Sequence, residues 1–152
     1  MSRIILKIQI GEYVFGLPVD HVREVIGYLA PTIMPGVPDD FCGLINLRGS
    51  VIPVLDLKKR LTNTPFIPGV HAKIVILEIE FENSKLVLGA VVARVLEVVT
   101  VEDEQLEVRP AFGLGVRPDF VESVVHMDGV MFYMLNIALV FSVDELASLV
   151  ES

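Results

Sequence analysis

The stretch Asp40-Phe41-Cys42-Gly43-Leu44-Ile45-Asn46-Leu47-Arg48-Gly49-Ser50-Val51-Ile52-Pro53-Val54-Leu55-Asp56-Leu57 decides the fold class. Gly43 to Leu47 and Ser50 to Leu55 are apolar, β-branched runs flanking Arg48-Gly49, so they read as two strands joined by a tight hairpin turn. The same pattern extends outward in both directions. Ile4 to Ile10, Tyr13 to Leu17 and Glu24 to Tyr28 read as strands, with Asp20 placed to cap a short helical turn between the last two. The run from Ala30 to Pro38 carries three prolines and a glycine and is loop.

Beyond a Pro-containing break at Thr62 to Gly69, strands resume at Lys73 to Phe81, turn through Glu82-Asn83-Ser84 and continue from Leu86. Arg109 to Pro118 is a second Gly/Pro loop. Ser123 to Met127 and Val130 to Leu135 flank Asp128-Gly129, a strong hairpin signal. Ser142 and Glu145 form a capping box ahead of Leu146, Leu149 and Val150, which predicts a short C-terminal helix. Short β-branched runs with turn residues between them are the pattern of an all-β barrel or sandwich.

The second hairpin repeats the first. Asp40-Phe41 and Asp119-Phe120 open the two units, Arg48-Gly49 and Asp128-Gly129 turn them, and Leu55-Asp56-Leu57 and Leu135-Asn136-Ile137 close them. Upstream, Val14-Phe15-Gly16 followed by Val22-Arg23-Glu24-Val25 is echoed at equal spacing by Val87-Leu88-Gly89 followed by Val95-Leu96-Glu97-Val98. A repeat of half the chain indicates duplication of one supersecondary unit, not a solenoid. Two similar lobes of about 70 residues each would be marginal alone, so an apolar seam between them is expected.

Composition narrows the function. Twelve basic against twenty acidic residues leave a net charge of −8, which repels nucleic-acid backbones and anionic lipid. Hydrophobic content of 53% and a mean hydropathy of +0.63 raise the question of a membrane span. The longest apolar stretch, Val130 to Phe141, is interrupted by Asn136 and falls short of the roughly 20 residues a spanning helix needs, so it reads as core. The excess apolar content implies either two cores or an apolar surface kept for a partner. A single cysteine, Cys42, excludes an internal disulfide and fits a reducing compartment; in its apolar strand it reads as a small core hydrophobe. The N-terminus alternates like a strand and lacks the pattern of a signal peptide.

No catalytic constellation is evident in the sequence. His21, His71 and His126 are scattered, Gly49-Ser50 lies in a hairpin instead of a nucleophile elbow, and Gly113-Leu114-Gly115 lacks the rest of a dinucleotide loop. Glu102, Asp103, Glu104 and Glu107 lack the order of a calcium loop and read as a solvated acidic turn. No enzyme activity, cofactor or metal is expected.

From Asp40 to Leu57 the chain resembles the hairpin of the chemotaxis coupling protein (CheW) family, in which G-[VL]-I-N-L-R-G-x-[VI]-[IL]-P-V-x-[DN]-L recurs. Phe15-Gly16-Leu17-Pro18-Val19-Asp20-His21-Val22-Arg23-Glu24-Val25, the loop Pro31 to Pro38 and Met127-Asp128-Gly129 extend the similarity from about Leu6 to Phe141. The resemblance implies an all-β fold of two pseudo-symmetric, SH3-like, five-stranded barrels with a short C-terminal helix. The whole of 1–152 would then form a single CheW-like domain of two packed lobes sharing a hydrophobic seam. It also implies a non-catalytic adaptor coupling the cytoplasmic tips of chemoreceptors to the regulatory domain of a CheA-type histidine kinase. Such a protein is cytoplasmic, held at the inner face of the membrane through its protein partners, with no nucleic acid bound and no direct membrane insertion.

By position, Val22, Glu24, Gly43 and Arg48 match the family's partner contacts. Arg48 at a hairpin tip, with Asn46 before it and Gly49 after it, projects a planar five-donor fork into solvent. The expected division of labour has apolar groove residues supplying affinity, with Arg48 and Glu24 fixing partner choice. Three departures fall in the second copy: Ala93 and Asn136 where acids are common, and Glu122-Ser123 where a glycine is typical. Other readings are a scaffold of a pilus-controlling or developmental array, or a small-barrel module with a ligand site at the seam.

Overall fold

The computed structural model describes residues 2–81, 83–108 and 118–141. Among the described residues, eleven strands form two sheets. They are β1 (Ser2–Ile10), β2 (Tyr13–Pro18), β3 (Val22–Gly27), β4 (Phe41–Leu47), β5 (Ser50–Asp56), β6 (Lys73–Phe81), β7 (Ser84–Val92), β8 (Arg94–Glu102), β9 (Leu106–Val108), β10 (Val121–Met127) and β11 (Val130–Leu135). Helices α1 (Leu57–Thr62) and α2 (Ile137–Val140) follow the two hairpins, N-capped by the side chains of Asp56 and Asn136. Asn136 therefore keeps the capping task of its acidic counterpart, since an amide oxygen accepts from a backbone N–H as a carboxylate does. Asp20 lies inside the 3-10 turn Val19–His21 and caps nothing; Pro18 occupies the N-cap position. The second Gly/Pro loop before Pro118, and the helix expected from Ser142, lie outside the described residues.

The two sheets run in the orders β8-β1-β2-β11-β10-β9 and β3-β6-β7-β5-β4. Each sheet thus takes its leading hairpin from one repeat and its remaining strands from the other. Antiparallel pairs, β1 with β8 and β6 with β3, join each crossing hairpin to the other repeat on one side, and shorter parallel pairs make the joins on the other: β11 with β2 at Tyr133↔Phe15 and Met134↔Gly16, and β5 with β7 at Val54↔Gly89. Glycine is required at both parallel joins, because a Cβ on Gly16 would lie 2.7 Å from Ile5 Cγ2 and one on Gly89 would lie 2.8 Å from Ile74 Cγ2.

Both sheets curl into barrels. β8 and β9 stand at opposite edges of the first sheet, yet only the 3-10 turn Asp103–Gln105 joins them, a reach of roughly 14 Å at most. That sheet counts six strands instead of five because the turn separates short β9 from β8. In the second sheet the Arg48–Glu24 ion pair links the β4–β5 turn to β3 at the opposite edge.

The apolar excess goes into three clusters. Ile45, Ile52, Val54, Ile74 and Ile76 fill one barrel, and Ile5, Val125, Phe132 and Met134 fill the other. The largest cluster lies between the sheets, joining Ile8, Phe15 and Leu17 of the first to Val75, Leu77 and Leu88 of the second. Strands β1 and β6 bury both faces over part of their length, one into a barrel and one into the seam, so Ile5-Leu6 and Ile74-Val75-Ile76-Leu77 are unbroken apolar runs, while Lys7 and Gln9, and Glu78 and Glu80, restore an alternating pattern beyond them.

Strand pairing also refines the repeat. Phe41 pairs with Leu55 and Val121 with Leu135, so Asp40 corresponds to Phe120, one residue from the alignment that matches the two Asp-Phe dipeptides. Hairpin register follows the turn, where Arg48 and Asp128 share φ 52°, and not the dipeptide. Ser123 then stands in the place of Gly43. Its hydroxyl is buried without a hydrogen-bond partner among the described residues. Ser123→Ala is expected to raise stability by about 1 kcal/mol, read as a higher midpoint in urea titration.

Candidate functional site

The turn between β4 and β5 is built for one geometry. Arg48 at φ 52° and Gly49 at φ 88° give the left-handed pair that a two-residue hairpin needs, and Asn46 Oδ1 accepts from Gly49 N at 3.0 Å to brace it. The equivalent turn uses Asp128, a residue type that tolerates positive φ. Arginine does not, so placing it at Arg48 costs roughly 1 kcal/mol of backbone energy. Its side chain is 67% exposed and pairs with Glu24, itself 30% exposed. An exposed pair of this kind returns about 0–1 kcal/mol, so stability alone does not account for the arginine.

Around the pair lies a groove of about 180 Å³ lined by Arg23, Glu24, Leu47, Arg48, Ser50 and Ile76. Val51 beside it is 64% exposed. The structure therefore brings together Arg48, Glu24 and Asn46. It separates them from the other two sequence candidates. Val22 is half-buried against the inter-sheet core. Gly43 is buried five residues up β4, under the Pro-rich loop, where Thr32 N donates to Leu44 O and Leu44 N donates to Thr32 O. Arg23, Ser50 and Val51 were missed as candidates; the signal for Val51 is a β-branched side chain on the outward phase of β5.

The same place on the other barrel carries the opposite chemistry. Glu97 stands for Glu24 and Asp128 for Arg48, and Glu97 turns instead to Lys7 at 3.0 Å. The pseudo-equivalent positions thus differ in charge.

Cys42 is half-buried, and its thiol is pushed up to about 12 by burial, with Asp56 and Asp40 adding to the shift. With the folded value above that of an unfolded thiol, its contribution to stability is complete below the unfolded pKa and is lost as pH rises toward 12. The folded chain is expected to react with iodoacetamide at pH 9 at least a hundredfold more slowly than the urea-unfolded chain.

A larger, solvent-open groove of about 420 Å³ lies between the barrels, flanked by Asp20, His21, Glu78, Glu80, Lys85 and Ile137. No group of three or more His, Cys, Asp or Glu gathers as a metal site among the described residues, and no described helix is long and apolar enough to cross a membrane. His126 pairs with Glu107 at 2.9 Å.

Two packed barrels, one carrying a charged hairpin beside a shallow groove, define a module of SH3-like type. Comparison with known proteins sharpens that class. Residues 5–145 match the CheW-like domain, and the chain belongs to that family. It is 29% identical to a probable chemotaxis protein CheW of Rhizobium etli, over 95% of this chain and 90% of the relative. Identity to the chemotaxis protein CheW of Bacillus subtilis is 29%, over 80% of this chain and 76% of the relative. The crystal structure of the scaffolding protein TtCheW from Thermoanaerobacter tengcongensis superposes with a TM-score of 0.81 at 30% identity, covering 95% of this chain and 96% of that one.

Proposed function

We propose that this chain is the adaptor of a chemotaxis signalling complex, coupling the cytoplasmic tips of methyl-accepting chemoreceptors to the regulatory domain of a CheA-type histidine kinase and catalysing no reaction itself. It works as one unit from the cytoplasmic face of the membrane, where its partners hold it. The observation that carries the reading is Arg48: an exposed arginine held in a backbone conformation that its own type disfavours, facing Glu24 across the open edge of a barrel. Strain kept at a solvent-exposed residue belongs to recognition more than to folding.

Arg48, Glu24 and Asn46 form the selective part of the contact. Val22 and Gly43 act from behind, by setting the end of β3 and the seat of the Pro-rich loop. The acidic face at Glu97 and Asp128 suits a different partner surface, so two faces of one fold serve two proteins. Calorimetric titration with a receptor-tip helical hairpin, and separately with a kinase regulatory domain, tests this. Saturable binding to both is expected, and binding to neither would overturn the adaptor reading.

A further inference from the structure

Arg60 sits where the two repeats meet. It is the fourth residue of α1, as Val140 is of α2, and its Nε donates to the carbonyl of Val140, its own counterpart. Its Nη1 donates to Asp40 Oδ2 at 2.8 Å, and the guanidinium carbon lies 5.4 Å from the centroid of the Phe120 ring.

Asp40 and Phe120 are also counterparts. The Asp40 carbonyl accepts from Asp56 N at 2.7 Å and the Phe120 carbonyl from Asn136 N at 2.8 Å, the same bond made by the two capping residues. A group that touches both members of equivalent pairs lies at the pseudo-twofold axis. Two such guanidiniums would overlap there, so one position holds arginine and the other valine. The flanking pair has diverged to match, with a carboxylate on one side and an aromatic ring on the other, the two surroundings that hold a guanidinium best.

The consequence falls on α2. Its four described residues make barely one turn, too few to persist without support. The support at its C-terminal end comes from a cationic donor on the opposite repeat. The Arg60 side chain is only 12% exposed, so water screens these contacts poorly. Helix α2 also supplies Ile137 and Ala138 to the groove between the barrels, opposite Asp20, Glu78 and Lys85.

We propose that Arg60 is a latch: it keeps α2 docked as a wall of the inter-barrel groove, with the 3-10 turn Pro118–Phe120 held behind it, and this corner opens as a local unit when the latch is released. The opening is local because the apolar cluster between the sheets holds the barrels together without Arg60.

Native-state amide hydrogen exchange on the full chain tests this. In Arg60→Met, the amides of Asn136, Val140 and Phe141 are expected to exchange at least tenfold faster relative to those of Val75 and Leu88, which lie in the sheet and report global opening. Asp40→Asn, which leaves the Val140 and Phe120 contacts in place, is expected to give a smaller rise in the same three amides. Equal acceleration everywhere in Arg60→Met, or none at α2, overturns the latch. Should Arg60→Met fail to fold, Asp40→Asn decides alone: a selective rise at α2 upholds the proposal, and a uniform or absent one overturns it.

Discussion

Arg48→Glu is expected to lose about thirtyfold or more in affinity for one of the two partners while keeping the native circular dichroism spectrum. Removing a charge that pairs across an interface costs about 2 kcal/mol or more, and reversing it adds repulsion from any acidic group of the partner that met the arginine. The fold survives because the exposed pair with Glu24 contributes little to stability. Arg48→Asn separates the two roles more sharply. Asparagine suits φ 52°, so the turn should gain roughly 0.5–1 kcal/mol while binding still falls. A variant at once more stable and weaker in binding identifies Arg48 as a recognition residue. Loss of the dichroism signal in Arg48→Glu, or unchanged binding in both variants, would remove it from the interface.

Gly43→Ala is expected to destabilise the chain by about 4 kcal/mol, seen as a large fall in the midpoint of chemical denaturation. Two causes act together at this position. Its φ of 139° disfavours any side chain, and a Cβ would stand 2.1 Å from the Thr32 carbonyl oxygen. Relief requires the Pro-rich loop to lift, which breaks both backbone bonds between Thr32 and Leu44. Binding at Arg48 would fall as well, because that loop crosses the strand that carries the turn. A cost under 1 kcal/mol would mean that the loop shifts freely and that Gly43 owes its place to something other than packing.

The legible parts of the chain are those governed by near neighbours. The first and second hairpins could be read from Arg48-Gly49 and Asp128-Gly129, because a polar residue followed by glycine between two apolar, β-branched runs marks a two-residue turn. Strand β1 is legible from the alternation of Leu6, Ile8 and Ile10 with Lys7 and Gln9, and β6 from its β-branched run Ile74 to Ile76. β8 does not stand out as a separate strand in the sequence, since Glu97, Thr100 and Glu102 break its pattern at a barrel edge. α1 escaped because Leu57 to Thr62 is too short to display a helical period. At the site, Arg48 stood out by type and position. Glu24 was a candidate, but its pairing with Arg48 joins residues from opposite edges of a curled sheet, and spacing along the chain carries no record of that.

What the sequence determined by itself is the all-β class, the duplication, the two hairpin turns and the charged residue at the tip of one of them. Each depends on backbone propensities or on a pattern repeated within the chain. Which strands share a barrel is set by the assembled molecule. The leading hairpin of each repeat crosses to complete the other, and the capping and latching residues Asp40, Arg60, Phe120 and Val140 converge where the repeats meet. The physical reason lies in the strands themselves. A strand buried on both faces offers the same apolar side chains and the same backbone donors and acceptors to either barrel, so its partner is chosen by the packing of the whole and not by any local mark.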